Sequence, residues 1–561
     1  MSGDVQLGRN ITRREHQILL DVDEFATRYN LGHIRDLLKK AALIAHNPSD
    51  LAQTEGLNQE EIDIASGKDG EYRHGKCTPF QSRIVNSMML IYLAAAVYGM
   101  AHFSAWTYTS GNQWHPATST LESVALNAPD LGSALVGCWC TVPLNRAVGR
   151  RGAIFTAMVL IIVTSIAGSL EVWSVANIIQ RFCLGVSFGV LECTIPVYCV
   201  ETSPDHQRGR VTGAWQIGSL FGQVFVAMLK LAVPVSWIYS SISICAGAIC
   251  IGCWFVPESP RWLVREGQML AAFDSLRYFR PTGLLAARDL YLLHIRFETT
   301  GEVQSQRAPL LHLFTNPRAS RATLAAVSVI VPRSLSGYHM AMTTQSLGGS
   351  SYNAIILWLY VTLGYTLALF TAIFTVALAA DRAKRRKLLL WTILPMACVM
   401  SFYPVGWGFS VPHITGIAAE ATLVVMYNIG QVPLSVYVAE SFPIQYRDYG
   451  LAFTISMYHG SFAAMRVTIS NLIYWVYFRY TFAVCNLIAF ILAFFLMRET
   501  KNLALEEVPL AFEAPTRNLI LYRLSVEIPY IFRRYVLRQN VEFLPFEDSK
   551  YGGGAISLDA E

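Results

Sequence analysis

Asn145-Arg-Ala-Val-Gly-Arg-Arg151 runs through Gly152 into Ala153-Ile-Phe-Thr-Ala-Met-Val-Leu-Ile-Ile-Val-Thr-Ser-Ile-Ala-Gly-Ser169, a basic loop feeding an uncharged apolar run. Bilayer hydrocarbon is about 30 Å thick, so a spanning helix needs roughly 20 mostly apolar residues. Each span has to satisfy its own backbone hydrogen bonds, which leaves helix as the expected state. The pattern predicts a span at 153–173 and repeats along the chain. Further spans are expected at 84–106, 122–143, 175–199, 211–233, 236–256, 322–345, 353–379, 387–408, 413–438, 449–474 and 480–498, twelve in all.

Composition agrees. Of the 561 residues 53% are hydrophobic and 15% charged, against about 25% charged in an ordinary soluble protein. The basic residues cluster in short loops on one side of the spans. Besides 145–151 they fill Glu201-Thr-Ser-Pro-Asp-His-Gln-Arg-Gly-Arg210, Asp381-Arg-Ala-Lys-Arg-Arg-Lys387 and the stretch 257–321. The opposite loops, 107–121 and 345–352, have none, and Arg479 is the clearest exception. Lysine and arginine mark the cytoplasmic side, so both termini are expected there. The net charge of +5 therefore sets orientation and is no nucleic-acid signal. No apolar run lies near Met1, so no signal peptide is expected. The sequon Asn10-Ile-Thr12 should stay unmodified on the cytoplasmic side. Most of the eleven cysteines fall in apolar spans and predict no disulfide. Cys250 and Cys253 read as a packed helix face rather than a metal or redox pair.

The expected fold is an all-α polytopic membrane protein with two six-helix bundles. The divisions are an N-terminal region 1–82, a first bundle 83–256, a linker 257–321, a second bundle 322–498 and a tail 499–561. The linker reads as helix because apolar residues recur every three to four positions in 271–279 and 284–293. Asn58, with Glu61 three residues on, is expected to cap a helix in the N-terminal region. The basic loop after the second span has a counterpart after the eighth, the trace of an internal repeat.

Several short strings stand along the chain, all but the second at inner helix ends: Gly149-Arg-Arg151, Arg181-Phe-Cys-Leu-Gly185 within span four, Glu201 with Arg208-Gly-Arg210, Pro257-Glu-Ser-Pro-Arg261, Asp381 with Arg385-Arg386, Glu440 with Arg447, and Arg498-Glu-Thr-Lys-Asn-Leu-Ala-Leu-Glu-Glu507. Together, in this order, they resemble the sugar porter family of the major facilitator superfamily, over about 84–510, and the flanks look most like fungal members. The resemblance implies transport of a small polar solute by alternating access. It also implies that Arg150, Arg151, Glu201, Arg208, Asp381, Arg385, Arg386, Glu440 and Arg447 latch the inner face through ion pairs. As exposed pairs these would contribute roughly 0–1 kcal/mol each. The bland alternative is that they only set topology. Val142 replaces the usual acid of the first loop, so a weaker latch is expected there.

Interior polar residues are candidates for the cavity, because charge at mid-bilayer is costly and needs a partner or water. They are Asp130, Arg181, Glu192, Arg333, Glu420 and Arg466, with Gln216, His102, His339 and His459. By resemblance Gln216, in Trp215-Gln-Ile-Gly218, contacts sugar; otherwise it bonds a neighbouring helix. Span seven reads Arg333-Ser-Leu-Ser-Gly-Tyr-His339 where the resembled family has glutamines and an asparagine, which adds Arg333, Ser334 and His339 to the candidate binding residues. Arg333 either pairs with Asp130, Glu192 or Glu420, or faces the cavity and binds an anion. Leu369 and Leu434 replace two other polar or aromatic positions, and Ala101 stands at the acidic position of proton-coupled members. Asp130 and Glu192 are candidate replacement carboxylates; with Glu420 and Arg181 they form the expected proton or charge group.

The expected partners are a small-molecule substrate, a proton as a candidate, and the lipid bilayer, with no nucleic acid, no cofactor and no metal. The expected form is a monomer in the plasma membrane. A transporter of sugar, polyol or a sugar-derived compound leads. An exporter of an anionic fungal metabolite and a transport-dead sugar sensor are the alternatives. No metal cluster, nucleophile elbow or phosphate loop points to an enzyme.

Overall fold

The computed structural model describes residues 13–46, 79–107, 120–170, 175–204, 207–230, 232–280, 282–299, 310–338, 354–402, 413–470 and 475–501, and most of 503–549. Among these residues it is helix and turn, with no strand. Helices α1 (Arg13–Arg28) and α2 (Arg35–His46) precede the first apolar set. That set comprises α3 (Pro79–Thr107), α4 (Thr120–Gly132, a π turn at Ser133–Gly137, then Cys138–Ala147), α5 (Gly149–Ser169), α6 (Val175–Thr202), α7 (Arg208–Leu229) and α8 (Val235–Gly252). The linker holds α9 (Pro260–Arg265), α10 (Met269–Phe279) and α11 (Gly283–Thr299). The second set is α12 (Pro317–Ser334), α13 (Ala354–Leu378), α14 (Arg385–Phe402), α15 (His413–Ser441), α16 (Arg447–Ser470) and α17 (Trp475–Leu496). A tail helix, α18 (Thr516–Tyr522), continues through further helical turns to Val536.

A helix stands at each expected span. Among the described residues five stretches are by themselves long and apolar enough to cross a membrane: 88–105, 149–169, 175–202, 235–255 and 418–441. Others, such as α7 with Gln216, Ser219 and Gln223, carry polar residues that face inward. The span expected at 322–345 ends as helix at Ser334. His339, the side chain of Arg479, the sequon and the Asn58 cap lie outside the described residues.

The outer surface is apolar. Trp237, Ile244, Trp254, Phe255, Phe370, Phe374 and Trp391 are all exposed, as a lipid-facing belt requires. Inside, the helices close by small residues. A Cβ on Gly99 would stand 1.9 Å from the Ser219 carbonyl oxygen, and one on Gly222 1.9 Å from that of Ala96, so α3 and α7 touch backbone to backbone. Cys250 and Cys253 are buried in the same apolar core.

The repeat is visible at the helix starts. Glu258 caps α5, accepting the Arg150 and Arg151 amides at 2.9 and 3.0 Å. Glu499 caps α14 in the same way, accepting the Arg385 and Arg386 amides at 3.0 and 3.4 Å. A carboxylate on the first free amides also complements the helix dipole. Gly149 sits under its cap at φ +74°, where any side chain would strike the Glu258 carboxylate.

Helices α1 and α2 pack on the linker through Val22, Phe25, Leu38, Phe273, Leu290 and Tyr291. Phe25 stacks on His294 with ring centres 4.1 Å apart. Burial pushes the His294 imidazole below its ordinary value of 6.5, against the opposite pull of Glu298. The ring therefore takes a proton more readily once the packing is released. Docking of α1 and α2 is expected to be strongest above about pH 6.5 and to weaken as the pH falls through that value. Hydrogen exchange of residues 13–46 across this range measures it; protection that does not change with pH would rule the coupling out.

Candidate functional site

Two layers of polar side chains lie between the halves. One is at the end that carries the basic loops. Arg150 donates one hydrogen bond to Glu201 at 3.1 Å and brings its Nε to 3.1 Å from the other oxygen as an ion pair, and Arg385 meets Glu440 in the same way with both distances 2.9 Å. A hydroxyl completes each carboxylate: Ser259 donates to Glu201 at 2.6 Å and Thr500 to Glu440 at 2.8 Å. Each pair is then crossed from the other half. Arg447 lies 3.4 Å from Glu201, and Arg208 lies 3.6 Å from Glu440. Where Val142 replaces the acid of the first loop, Asp448 supplies a tie. It accepts from Asn145 at 3.3 Å and pairs with Arg150 at 3.6 Å. Asp381 pairs with Arg210 at 3.1 Å.

Two features depart from the sequence reading. The pairs at Glu201 and Glu440 are buried rather than exposed, with the side chains of Glu201, Glu440, Arg208 and Arg447 at most 2% accessible, whereas Arg210 beside Asp381 is exposed as expected. The helix ends close over the buried pairs and shut out water. Arg151 and Arg386 also stay within their own halves. Arg151 donates to the Val256 carbonyl at 3.2 Å, and Arg386 pairs with Glu527 of the tail at 2.7 Å.

The second layer surrounds a central cavity of about 120 Å³. From the first half come Tyr98 and His102 on α3, Glu192 on α6, and Trp215, Gln216 and Gln223 on α7. From the second come Tyr338, Tyr365 on α13, Tyr427, Asn428 and Gln431 on α15, and Tyr458 on α16. Apolar Leu220, Ile330, Leu434 and Val438 fill between them. Tyr338 and Tyr427 stack at 3.9 Å, nearly parallel.

Beside the cavity, His459 on α16 bridges two carboxylates of the first half. Its Nδ1 is 3.1 Å from Asp130 Oδ1 and its Nε2 2.7 Å from Glu192 Oε2. Arg466 reaches the other Asp130 oxygen at 3.3 Å, and the Tyr98 hydroxyl donates to Glu192.

Of the sequence candidates, Gln216, His102 and Glu192 line the cavity, and Asp130 is buried behind it. Arg181 is buried on α6, and Glu420 is half-buried on α15. Arg333 lies in neither of its two expected surroundings. It is buried behind the wall, donating to the Tyr427 carbonyl, with its guanidinium 4.1 Å above the Tyr427 ring. Among the described residues no carboxylate pairs with it. A cation over an aromatic face, bonded to a carbonyl, needs none. Ser334 is buried too, 2.5 Å from Ser461 on α16.

Residues 81–512 match the model of the family described as sugar (and other) transporter. The chain belongs to that family. As a sugar (and other) transporter it is a multi-pass membrane protein that carries solutes, and homology gives no support to an enzyme. Among its relatives the myo-inositol transporter FST1 of Gibberella moniliformis is 26% identical over 429 residues, 69% of this chain and 71% of that one. The galactose-proton symporter of Escherichia coli K12 is 26% identical over 418 residues, 70% and 86%. In fold the chain resembles the proton:xylose symporter XylE bound to 6-bromo-6-deoxy-D-glucose. The TM-score is 0.64 at 19% identity, covering 77% of this chain and all of that one.

Proposed function

We propose that this transporter carries a small, neutral, polyhydroxylated solute, a sugar, a polyol or a compound derived from one. The observation that carries the reading is the cavity wall. Gln216, Gln223, Gln431 and Asn428 both donate and accept, as sugar hydroxyls do, and the tyrosines offer flat faces and hydroxyls. Among the described lining residues there is no lysine or arginine, and the carboxylate of Glu192 is present, which weighs against an anion. Relatives whose names include myo-inositol, galactose, xylose and arabinose agree with this class.

In this reading residues 83–256 and 322–498 rock as two six-helix bodies about the cavity. The basic end, with both termini, faces the cytoplasm, and the buried ion pairs act there as the closed gate. Both halves of one chain contribute to the described cavity lining, so a monomer is the expected form, and the plasma membrane is the expected host.

Counterflow of labelled myo-inositol and D-xylose in proteoliposomes tests the reading. Gln216→Ala is expected to raise KM on the order of tenfold, the worth of one or two hydrogen bonds. A carrier with unchanged KM in that variant does not use Gln216 for its solute. Binding without counterflow identifies a sensor instead.

A further inference from the structure

The bridge formed by Asp130, His459 and Glu192 is a site of its own, and its chemistry can be counted. An ionised carboxylate only accepts hydrogen bonds, and a neutral imidazole has one N–H and one lone pair. Yet both ring nitrogens of His459 stand at hydrogen-bond distance from carboxylate oxygens, 3.1 Å from Asp130 and 2.7 Å from Glu192. Each contact needs a proton. A neutral ring supplies one. The second has to be bound as well, on the ring as imidazolium or on a carboxyl as O–H. The arrangement shown is thus the protonated form of a site that binds one exchangeable proton.

We propose that His459, Asp130 and Glu192 form a proton-binding site whose occupancy joins the two halves. The proposal rests on the transport reading above and adds the coupling ion to it. Asp130 and Glu192 belong to α4 and α6 of the first half, while His459 belongs to α16 of the second. Nearby, Ser456 of α16 donates to the Ala134 carbonyl of α4 at 2.6 Å, and Arg466 holds Asp130 from the same helix. Loss of the proton leaves a ring lone pair facing a carboxylate oxygen across one of these contacts. Attraction turns to repulsion at the seam where the halves have to part.

The exit is also present. Asp130 and His459 are 3% and 1% accessible, but Glu192 lines the cavity. The proton leaves by breaking the Nε2–H bond of His459 and forming an O–H bond on Glu192. It then passes to cavity water as hydronium, leaving Glu192 ionised and His459 neutral. Entry reverses the same steps, and no other reactant is needed.

The remaining titratable and charged groups around the site are few. Tyr98 and His102 face it from α3, Tyr427 from α15, and Tyr458 and Arg466 from α16 itself. Arg181 of α6 faces Arg466, and Arg333 of α12 stands beyond Tyr458. Glu192 is the carboxylate that both bonds His459 and lines the cavity.

The test needs no knowledge of the solute. Full-length protein in proteoliposomes on a supported membrane is given a pH jump with no sugar present, and the charge displaced by proton binding is read. The unmodified protein is expected to displace charge. Glu192→Gln and His459→Gln, checked for monodisperse elution, are expected to abolish the signal. Glu192→Gln keeps the side chain's shape and a hydrogen-bonding partner for Tyr98, so it guards against a folding artefact. No displacement in the unmodified protein, or full displacement in either folded variant, overturns the proposal whatever the carrier transports. A second arm follows myo-inositol accumulation driven by an imposed pH gradient. Its loss in Asp130→Asn supports the proposal, and undiminished accumulation in that variant overturns it.

Discussion

Glu201→Gln is expected to lose about 3–5 kcal/mol of stability and to leave the basic end of the carrier open. That magnitude is typical when one partner of a buried ion pair is removed and the other charge stays behind. Here two charges stay behind. Arg150 and Arg447 both depend on Glu201, and both are buried. Asp448, 3.6 Å from Arg150, replaces only part of the loss. The change in unfolding midpoint in detergent measures the stability term. Reaction of a thiol placed at the end of α6 with a bulky reagent measures opening. Glu440→Gln is expected to behave alike, because Arg385, Arg208 and Thr500 repeat the arrangement. Wild-type melting and wild-type protection in the Glu201 variant would sink the gate.

Gly222→Val is expected to abolish transport and to yield little well-folded protein. Overpacking a core by a few methylenes usually costs about 1–3 kcal/mol because side chains give way. The obstacle here is backbone. A Cβ at Gly222 would lie 1.9 Å from the Ala96 carbonyl oxygen and 2.8 Å from the Met100 amide nitrogen. Helices α3 and α7 would have to separate, and they carry Tyr98, His102, Gln216 and Gln223 of the cavity wall. Uptake and size-exclusion profile measure the outcome together. Gly247, with nothing within 4 Å of its position, is the control site where the same substitution should be tolerated. Equal behaviour at the two sites would remove the close-contact argument.

Much of the fold is legible in the sequence because lipid imposes a coarse code: apolar runs of fixed length, separated by loops that are basic on one side only. The helix positions follow from that. The gate is half legible. Charges at helix ends show as Arg150, Glu201, Arg208, Arg385, Glu440 and Arg447, but their burial does not, since it depends on how several helix ends close over one another. A usable signal was present in the paired strings Glu258-Ser259 and Glu499-Thr500. Acid followed by hydroxyl, after the sixth and the twelfth span, is the cap and the second ligand of each half.

The cavity was less legible. Arg333 is visible as an interior charge, yet its partners are a ring and a carbonyl, which leave no trace in spacing. His459 is visible as an interior histidine. Its carboxylates lie 329 and 267 positions away in the chain. Only packing of α16 against α4 and α6 brings the three together. Tyrosines 98, 427 and 458 read as ordinary apolar filling until the hollow they enclose is seen.

The flanking segments are shared out unevenly. Arg280 of the linker donates to the Thr202 carbonyl at 3.2 Å, and Ser275 to that of Glu258 at 2.6 Å, so α1, α2 and the linker ride on the first half. Glu527 holds Arg386, and Arg523 donates to the Met497 carbonyl at 2.5 Å, so α18 and the turns after it ride on the second. A pair of spectroscopic probes, one on α1 and one on α18, therefore sits on opposite arms of the machine. Their separation is a ready-made gauge of its stroke, readable without touching a single membrane helix.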